Sequence, residues 1–503
     1  MTTDILRKNY KYPLMYQTLH KHILEPILAF KKQYWPIVIL YFAYGFSGFT
    51  AIAETFWIKN DLTLSTSEIL QLAFWAHMPW TYKIIFSQFV DNLSIIKSRR
   101  KSYICLGAFL MIIGYIIFIA TVHGFIYLSL YSQLTISSII ISAGIVLQDL
   151  VADTLCLEIV ISEKKQHKLS DQEYKYRLGL VQLLGRLGLM FGILLAAFFG
   201  GILAEYLHLK TICWFLLVIP IISCSSIMFF KEAPNIQNSN LDKPLVVLTF
   251  AMTITTIISS LVNIGAKAEI NFIINLFFTL IMMKYVLKHL SLGKLKELIG
   301  LGIVIFFFRT TPSFGPGIEW WQIDTLKFTP QFFGILSQTG TLLGFFATLF
   351  FSTYILKYNI RTVLIILALL SALLKLPFIG MAYGLHDWTM QHFGFGAKTI
   401  AIIDVVSEDP FSTLSMIPLL ALSAYYAPKQ NKVTWFALVA NFMNLALSAG
   451  TLLTKHLQTF FQITRGNYKK IGPLMTTCTI LDIALPITAI LLVSLWQKNS
   501  KKL

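Results

Sequence analysis

Fourteen apolar runs limit what this chain can fold into. They lie at 36–58, 67–90, 103–122, 125–158, 175–203, 211–230, 244–263, 269–289, 298–320, 330–354, 361–384, 393–427, 433–457 and 473–496. Runs of this kind can each supply the roughly 20 residues of helix that cross a hydrocarbon core of about 30 Å. Only 13% of residues are charged, 56% are hydrophobic and mean hydropathy is +0.68, a balance that excludes an ordinary soluble enzyme. The expected fold class is an all-α polytopic membrane protein.

The charges set its orientation. A net charge of +17 would point to nucleic acid in a soluble protein, but here Lys and Arg concentrate in alternate loops. The N-tail (Arg7, Lys8, Lys11, Lys21, Lys31, Lys32), the 97–101 cluster and 164–177 are rich in them, so both termini are expected on the cytoplasmic side. Arg465, Lys469 and Lys470 break the pattern, since their loop counts as an outer one. No apolar region follows Arg7-Lys8 as a cleaved signal would require. Instead Met15, Leu19, Ile23 and Ile27 recur at helical spacing among His20, Lys21, His22 and Glu25, as in an amphipathic helix lying on the membrane. The five cysteines sit in or beside apolar runs without metal-ligand spacing, so neither a disulfide framework, a metal nor a cofactor is expected.

Residues 231–243 form one polar, turn-rich interruption near the middle. The expected organisation is a cytoplasmic segment 1–35, a six-helix bundle 36–230, a linker with an extra helical hairpin 231–297, a second six-helix bundle 298–496 and a cytoplasmic tail 497–503. The halves resemble each other weakly. Trp57-Ile-Lys-Asn-Asp-Leu-Thr-Leu-Ser-Thr66 has a counterpart in Trp321-Gln-Ile-Asp-Thr-Leu-Lys-Phe-Thr-Pro330, and 90–97 corresponds in position to 354–361. Secondary transporters show such repeats, with the binding site between them.

Three carboxylates in the fourth run demand a reason. Asp149 and Asp153 share one helical face, and each costs roughly 2.5–3.5 kcal/mol at a bilayer centre. If the helix to Glu158 descends and that from 175 ascends, Asp149 and Arg186 lie at similar depth, while Glu158 and Arg177 meet near the surface. Either these are static salt bridges, or the carboxylates work. Asp153, with no evident partner, is the expected proton carrier, because burial raises a carboxyl pKa towards working pH. In the second half Arg309-Thr-Thr-Pro-Ser-Phe-Gly-Pro-Gly317 breaks a span near its middle. Such breaks are tolerated against protein or a wet cavity, so Arg309 either meets an anionic substrate group or bonds to carbonyls of a kinked helix. Lys375 is expected to pair with Asp404 or Glu408, unless this polar stretch is a partly re-entrant loop.

The stretch from Ser87 to Ser102, with Asp91 at a helix end and Arg99 and Arg100 after it, resembles the signature loop of the major facilitator superfamily. There an acid paired with arginine latches one conformation; the plainer reading makes Arg99, Arg100 and Lys101 topology anchors. Pro79, Trp80, Lys83, Asp91, Arg99, Arg100 and Tyr103 together resemble the folate/biopterin transporter family of that superfamily. The resemblance continues at Asp149, Asp153 and Glu158, at Phe306-Phe-Phe-Arg-Thr-Thr-Pro312 and 326–334, and at Met416, Pro418, Pro428, 434–437, Asn441 and Gly450. The chain departs from the family at Lys432, where a glutamate is usual, and at Glu408-Asp409-Pro410.

The resemblance implies a major facilitator fold and a secondary active transporter of folate, a pterin or a related organic anion. It would be proton-coupled, work by alternating access, and sit as a monomer in a bacterial inner membrane. Lys83, Asp149, Asp153, Glu158, Arg186, Arg309, Asp404 and Glu408 are then the substrate and proton candidates, and Asp91, Arg99 and Arg100 the latch. A muropeptide-permease-like carrier and a non-transporting receptor are the rivals. An integral-membrane enzyme is disfavoured, because no His-Glu-x-x-His or Gly-x-Ser-x-Gly arrangement appears.

Overall fold

The structure, a computed structural model, describes residues 30–92, 95, 98, 100–125, 128–168, 170–230, 242–261, 265–288, 292–355, 360–406 and 432–500, a few of them (Asp91 included) by backbone alone. The amphipathic 1–29 segment, Arg99, the Asp91 side chain, Glu408, Met416, Pro418 and Pro428 lie outside the described residues.

The first half holds α1 (Trp35–Phe46), α2 (Ala51–Asp61), α3 (Thr66–Thr81), α4 (Lys83–Asn92), α5 (Lys101–His123), α6 (Leu130–His167), α7 (Asp171–Tyr206) and α8 (Leu209–Phe229). The pair α1/α2 makes one span-length segment broken in the middle, and α3/α4 divides the second expected run in the same way. A hairpin follows, α9 (Lys243–Leu261) and α10 (Lys267–Leu287). The second half holds α11 (Leu292–Arg309), α12 (Pro316–Asp324), α13 (Pro330–Ile355), α14 (Ile360–Leu374), α15 (Leu376–Met381), α16 (Leu385–Phe393), a helical stretch at 397–406, α17 (Lys432–Phe460) and α18 (Ile471–Ser500). Nine helices among the described residues are long and apolar enough to cross a membrane on length and composition. Of the remaining expected runs, two are divided, at Tyr82 and at 310–315, and α17 carries Asn441, Asn444, Thr454 and Lys455.

Local chemistry explains the breaks and starts. Pro79 inside α3 offers no amide hydrogen and crowds the preceding turn, and three residues later the helix breaks at Tyr82 and restarts at Lys83. Ser65 and Glu68 form a capping box on α3, and Ser170 and Glu173 do the same for α7, satisfying amides that would otherwise be orphaned.

In a bilayer the helices gain little from burying apolar side chains against one another, so close backbone approach does more. Gly107 and Gly144 face each other where α5 lies along α6; a Cβ on Gly107 would sit 2.8 Å from the Gly144 carbonyl oxygen. Gly188 and Gly192 similarly seat α7 against the α1 backbone at Val38 and Phe42. Two crossings join the halves directly: α7 with α13, and α3 with α17. At the first, a Cβ on Gly201 would lie 2.8 Å from the Gly334 Cα.

Candidate functional site

The α3/α4 break turns Lys83 towards α6, where its Nζ lies 2.6 Å from Asp149 Oδ2 and 3.0 Å from Asp153 Oδ2. The four-residue spacing of the carboxylates presents both to one ammonium. Tyr41 of α1 donates its hydroxyl to Asp153 Oδ1 at 2.5 Å. The two acids differ in access: the Asp149 side chain is 9% exposed and that of Asp153 49%. Arg186 of α7 is exposed and sits over the Tyr41 ring, 5.9 Å from its centroid. Trp80 packs below Lys83 at 5.9 Å and against Tyr44 at 5.5 Å.

The ion pairs differ from those expected, and helix length is the reason. α6 continues to His167, past the expected end at 158, and α7 starts at Asp171 rather than 175. Counted from the turn at 168–170, Arg186 therefore stands level with Asp153, not Asp149. Arg177 stands level with Glu163, to which its Nη1 donates at 2.7 Å, instead of Glu158. Glu163 also accepts from Lys31 at 2.6 Å, Gln33 at 2.5 Å and Tyr34 at 3.0 Å, tying the chain entry to α6 and α7. Glu158 takes Arg100, just before α5, with Nη2 and Nε at 2.5 and 3.1 Å from Oε1. Arg100 also donates to the Val90 carbonyl at 2.6 Å, and the Tyr103 hydroxyl to that of Phe89 at 2.9 Å. These bonds fix the end of α4 to the start of α5, so Arg100 does more than add to a basic cluster.

In the second half the break between α11 and α12 is present, and its loosened backbone groups are met by α17. Thr454 Oγ1 accepts from the Ser313 amide at 3.0 Å, and Gln458 Nε2 donates to the Phe314 carbonyl at 2.5 Å. Gly450 makes this approach possible, since a Cβ there would lie 2.9 Å from the Thr311 carbonyl oxygen. Arg309 ends α11 beside this break, within electrostatic reach of His77 on α3. Lys375, at the α14/α15 junction, pairs with Asp482 of α18 at 2.8 Å, a partner not expected for it, and lies 5.9 Å from the Phe314 ring; of its two expected partners, Glu408 lies outside the described residues. Asp482 and Glu163 were missed in the sequence. Asp482 is the one acid in the last apolar run, a signal that it needed a cation; Glu163 fell outside the expected span. Tyr41 had no signal among so many aromatics.

At the end remote from residue 30, polar contacts shut the halves together. Lys59 Nζ is 2.5 Å from Asp324 Oδ1, and the Tyr468 hydroxyl is 2.5 Å from Asp324 Oδ2. Arg465 donates to the carbonyls of Ile58 and Leu64, both at 2.8 Å, and stacks 4.7 Å from the Trp320 centroid. Thr66 donates to the Ile463 carbonyl at 3.2 Å, and the Gln331 amide to Glu205 at 3.1 Å. The basic loop that broke the charge pattern thus spends its arginine on backbone carbonyls of the other half.

A family model described as the BT1 family matches residues 44–502. The chain belongs to that family. Among this BT1 member's relatives, the folate-biopterin transporter of Synechocystis sp. is 22% identical over 452 residues, 87% of this chain and 78% of the relative. "Probable folate-biopterin transporter 4" of Arabidopsis thaliana is 22% identical across 86% of this chain and 90% of its own length. Folate transporter 1 of Plasmodium falciparum is 21% identical across 85% and 72%. Among solved structures, a POT family transporter in complex with a thioalcohol-conjugated peptide superposes with a TM-score of 0.63 at 14% identity, covering 97% of this chain and 99% of that one. The inward-open xylose transporter XylE of E. coli gives 0.56 at 13%, covering 91% and 94%. The fold is that of the major facilitator superfamily with an added hairpin, and family and fold together place this integral membrane protein among transporters rather than enzymes.

Proposed function

We propose that this chain is a secondary active transporter of folate, a pterin or a related organic anion, coupled to protons and working by alternating access. The names of its relatives support the substrate class. The observation that carries the coupling is the Lys83, Asp149, Asp153 and Tyr41 cluster, with Arg186 beside it. Asp149 is enclosed with Lys83, whereas Asp153 is open enough to exchange a proton. Two cations and two carboxylates sum to zero while Asp153 is ionised. A proton on Asp153 leaves a net positive charge and frees the Arg186 guanidinium from competition, so an anion binds more tightly. By linkage the anion in turn tightens the proton. Arg309 supplies a cation from the other half.

The shut end formed by Lys59, Asp324, Arg465 and Tyr468 is one state of an alternating-access cycle, open towards the side of the termini. In this reading that side is the cytoplasm of a bacterial inner membrane. The moving units are 36–230 and 298–496 in a monomer, with 231–297 as linker and hairpin, 1–35 and 497–503 as cytoplasmic ends, and Asp91, Arg99 and Arg100 as the latch. Asp404 and Glu408 are secondary proton candidates. The test is uptake of labelled folate into proteoliposomes with and without an inward proton gradient. Accumulation driven by the gradient is expected. Folded protein that equilibrates folate equally in both conditions would refute coupling, and protein that neither binds nor moves folate or pterins would refute the substrate class.

A further inference from the structure

The hairpin leaves a second cavity, apart from the charged cluster. It lies between α10 and α11 and has a volume of about 750 Å³, within the range of about 300–1,000 Å³ usual for ligand sites. Its lining runs along α11 from Leu295 to Phe307, about 18 Å at 1.5 Å per residue. That is somewhat more than one leaflet of a bilayer's hydrocarbon thickness of about 30 Å. The floor is Phe306, its ring tilted against that of Phe442 of α17 with centroids 5.3 Å apart. Gly302 opens the wall: a Cβ there would meet only the Phe442 ring edge, at 3.8 Å.

Every lining residue is apolar except two. Lys284 and Lys288 stand one turn apart at the end of α10, at the mouth of the cavity, and both are exposed. Among the described residues neither meets a carboxylate; the Lys288 ammonium lies 4.4 Å from the Tyr285 centroid. Lys296 and Glu297, in the second turn of α11, do not line the cavity. Lysines that serve only as topology anchors would need no groove behind them. A soluble organic anion would have no use for an apolar trough of this length.

We propose that this groove binds one anionic phospholipid, its phosphate on Lys284 and Lys288 and an acyl chain lying along α11 to the Phe306 and Phe442 rings. The site is independent of the transport reading, because the cavity shares no residue with the Lys83 cluster.

The experiment uses full-length protein in mild detergent, incubated with equimolar phosphatidylglycerol and phosphatidylcholine and read by native mass spectrometry. One retained phosphatidylglycerol per chain is expected. A lysine near an anionic surface contributes about fivefold, so Lys284→Ala with Lys288→Ala should cut phosphatidylglycerol retention roughly 20- to 30-fold while leaving thermal unfolding in lipid-free detergent unchanged. Gly302→Leu, which fills the trough and keeps both lysines, should exclude lipid of either headgroup. Equal retention of the two lipids by the wild type, no bound lipid, or full phosphatidylglycerol retention by the double variant would overturn the proposal.

Discussion

Replacing Asp153 with asparagine separates proton coupling from binding. Asparagine keeps an oxygen for the Tyr41 hydroxyl, and Lys83 keeps Asp149 at 2.6 Å, so no buried cation is orphaned. The stability cost should stay near that of one hydrogen bond, about 1 kcal/mol. The charge at the site moves from zero to plus one. Two unit charges 4 Å apart interact by about 4 kcal/mol at an effective dielectric constant near 20. Because the Asp153 side chain is 49% exposed and a bound anion contacts Arg186 rather than Asp153, we discount this to about 1–2 kcal/mol, or roughly 5- to 30-fold in affinity. In the wild type, folate should bind more tightly as pH falls through the Asp153 titration. In Asp153→Asn it should bind with the tight, low-pH affinity at every pH. Counterflow exchange in proteoliposomes should survive while gradient-driven accumulation is lost. Retained accumulation, or an affinity that still varies with pH as in the wild type, would refute the role given to Asp153.

Arg465→Ala removes two charge-assisted hydrogen bonds and a stacking contact at the shut end; with part of each lost to solvent, about 2 kcal/mol should shift towards opening, seen as a longer spin-label distance between positions 60 and 470. An unchanged distance distribution would count against Arg465 as a closure element. Glu163→Gln leaves Lys31 and Arg177 facing a neutral amide in place of a carboxylate side chain only 3% exposed, and since both cations keep partial access to water the loss should be about 2 kcal/mol, measured as a lowered Tm with folate affinity unchanged. Burial acts to raise the Asp324 carboxyl, but Lys59 and Tyr468 outweigh it and hold that pKa below its ordinary value. Its support of closure is therefore complete above the usual aspartate range and lost as pH falls below about 4, which the same spin labels would follow. A disulfide between cysteines at positions 279 and 441 should leave uptake intact, whereas one between 275 and 78 should arrest it.

The crossings were legible because apolar length is a direct consequence of the bilayer, and the α11/α12 break was legible because two prolines and two glycines cannot continue a helix. The partners of the charges were less so. Hydropathy ended the fourth run at Glu158, its third carboxylate, yet Ile159, Val160 and Ile161 follow and α6 carries on through the polar residues after them to His167. The resulting shift of four to five residues between facing partners, a little over one helical turn, is enough to exchange every predicted pair across α6 and α7. Rotation about the helix axis is equally invisible to hydropathy. Nothing in the sequence aimed Lys83 at α6 until the Pro79 break was placed against it, and Lys375 found Asp482 across more than 100 residues of chain.

The hairpin is bound unequally to the two halves. On α10, Asn271, Asn275 and Thr279 form a fully buried polar row at helical spacing. Thr279 accepts from Asn441 of α17 at 3.0 Å, and at the far end Glu269 pairs with Lys455 of α17 at 2.6 Å and lies 3.0 Å from His456. Against the first half, Asn275 offers its amide to the Met78 sulfur at 3.9 Å, and the Tyr82 hydroxyl sits beside Asn275 and Thr256 of α9. The rest of that face is apolar, with Ala268 packed among Phe74, Trp75 and Met78, and Met282 beside Ile84. Side-chain hydrogen bonds between membrane helices average only about 0.6 kcal/mol, but the charged Glu269–Lys455 pair, once separated in hydrocarbon, would leave two ions without partners. An apolar face can slide over its neighbour at little cost in a lipid solvent, whereas a paired charge cannot. The hairpin therefore has the bonding of a body attached to α17 and in sliding contact with α3, and this is why a bridge across the first contact should be silent and one across the second should stop transport.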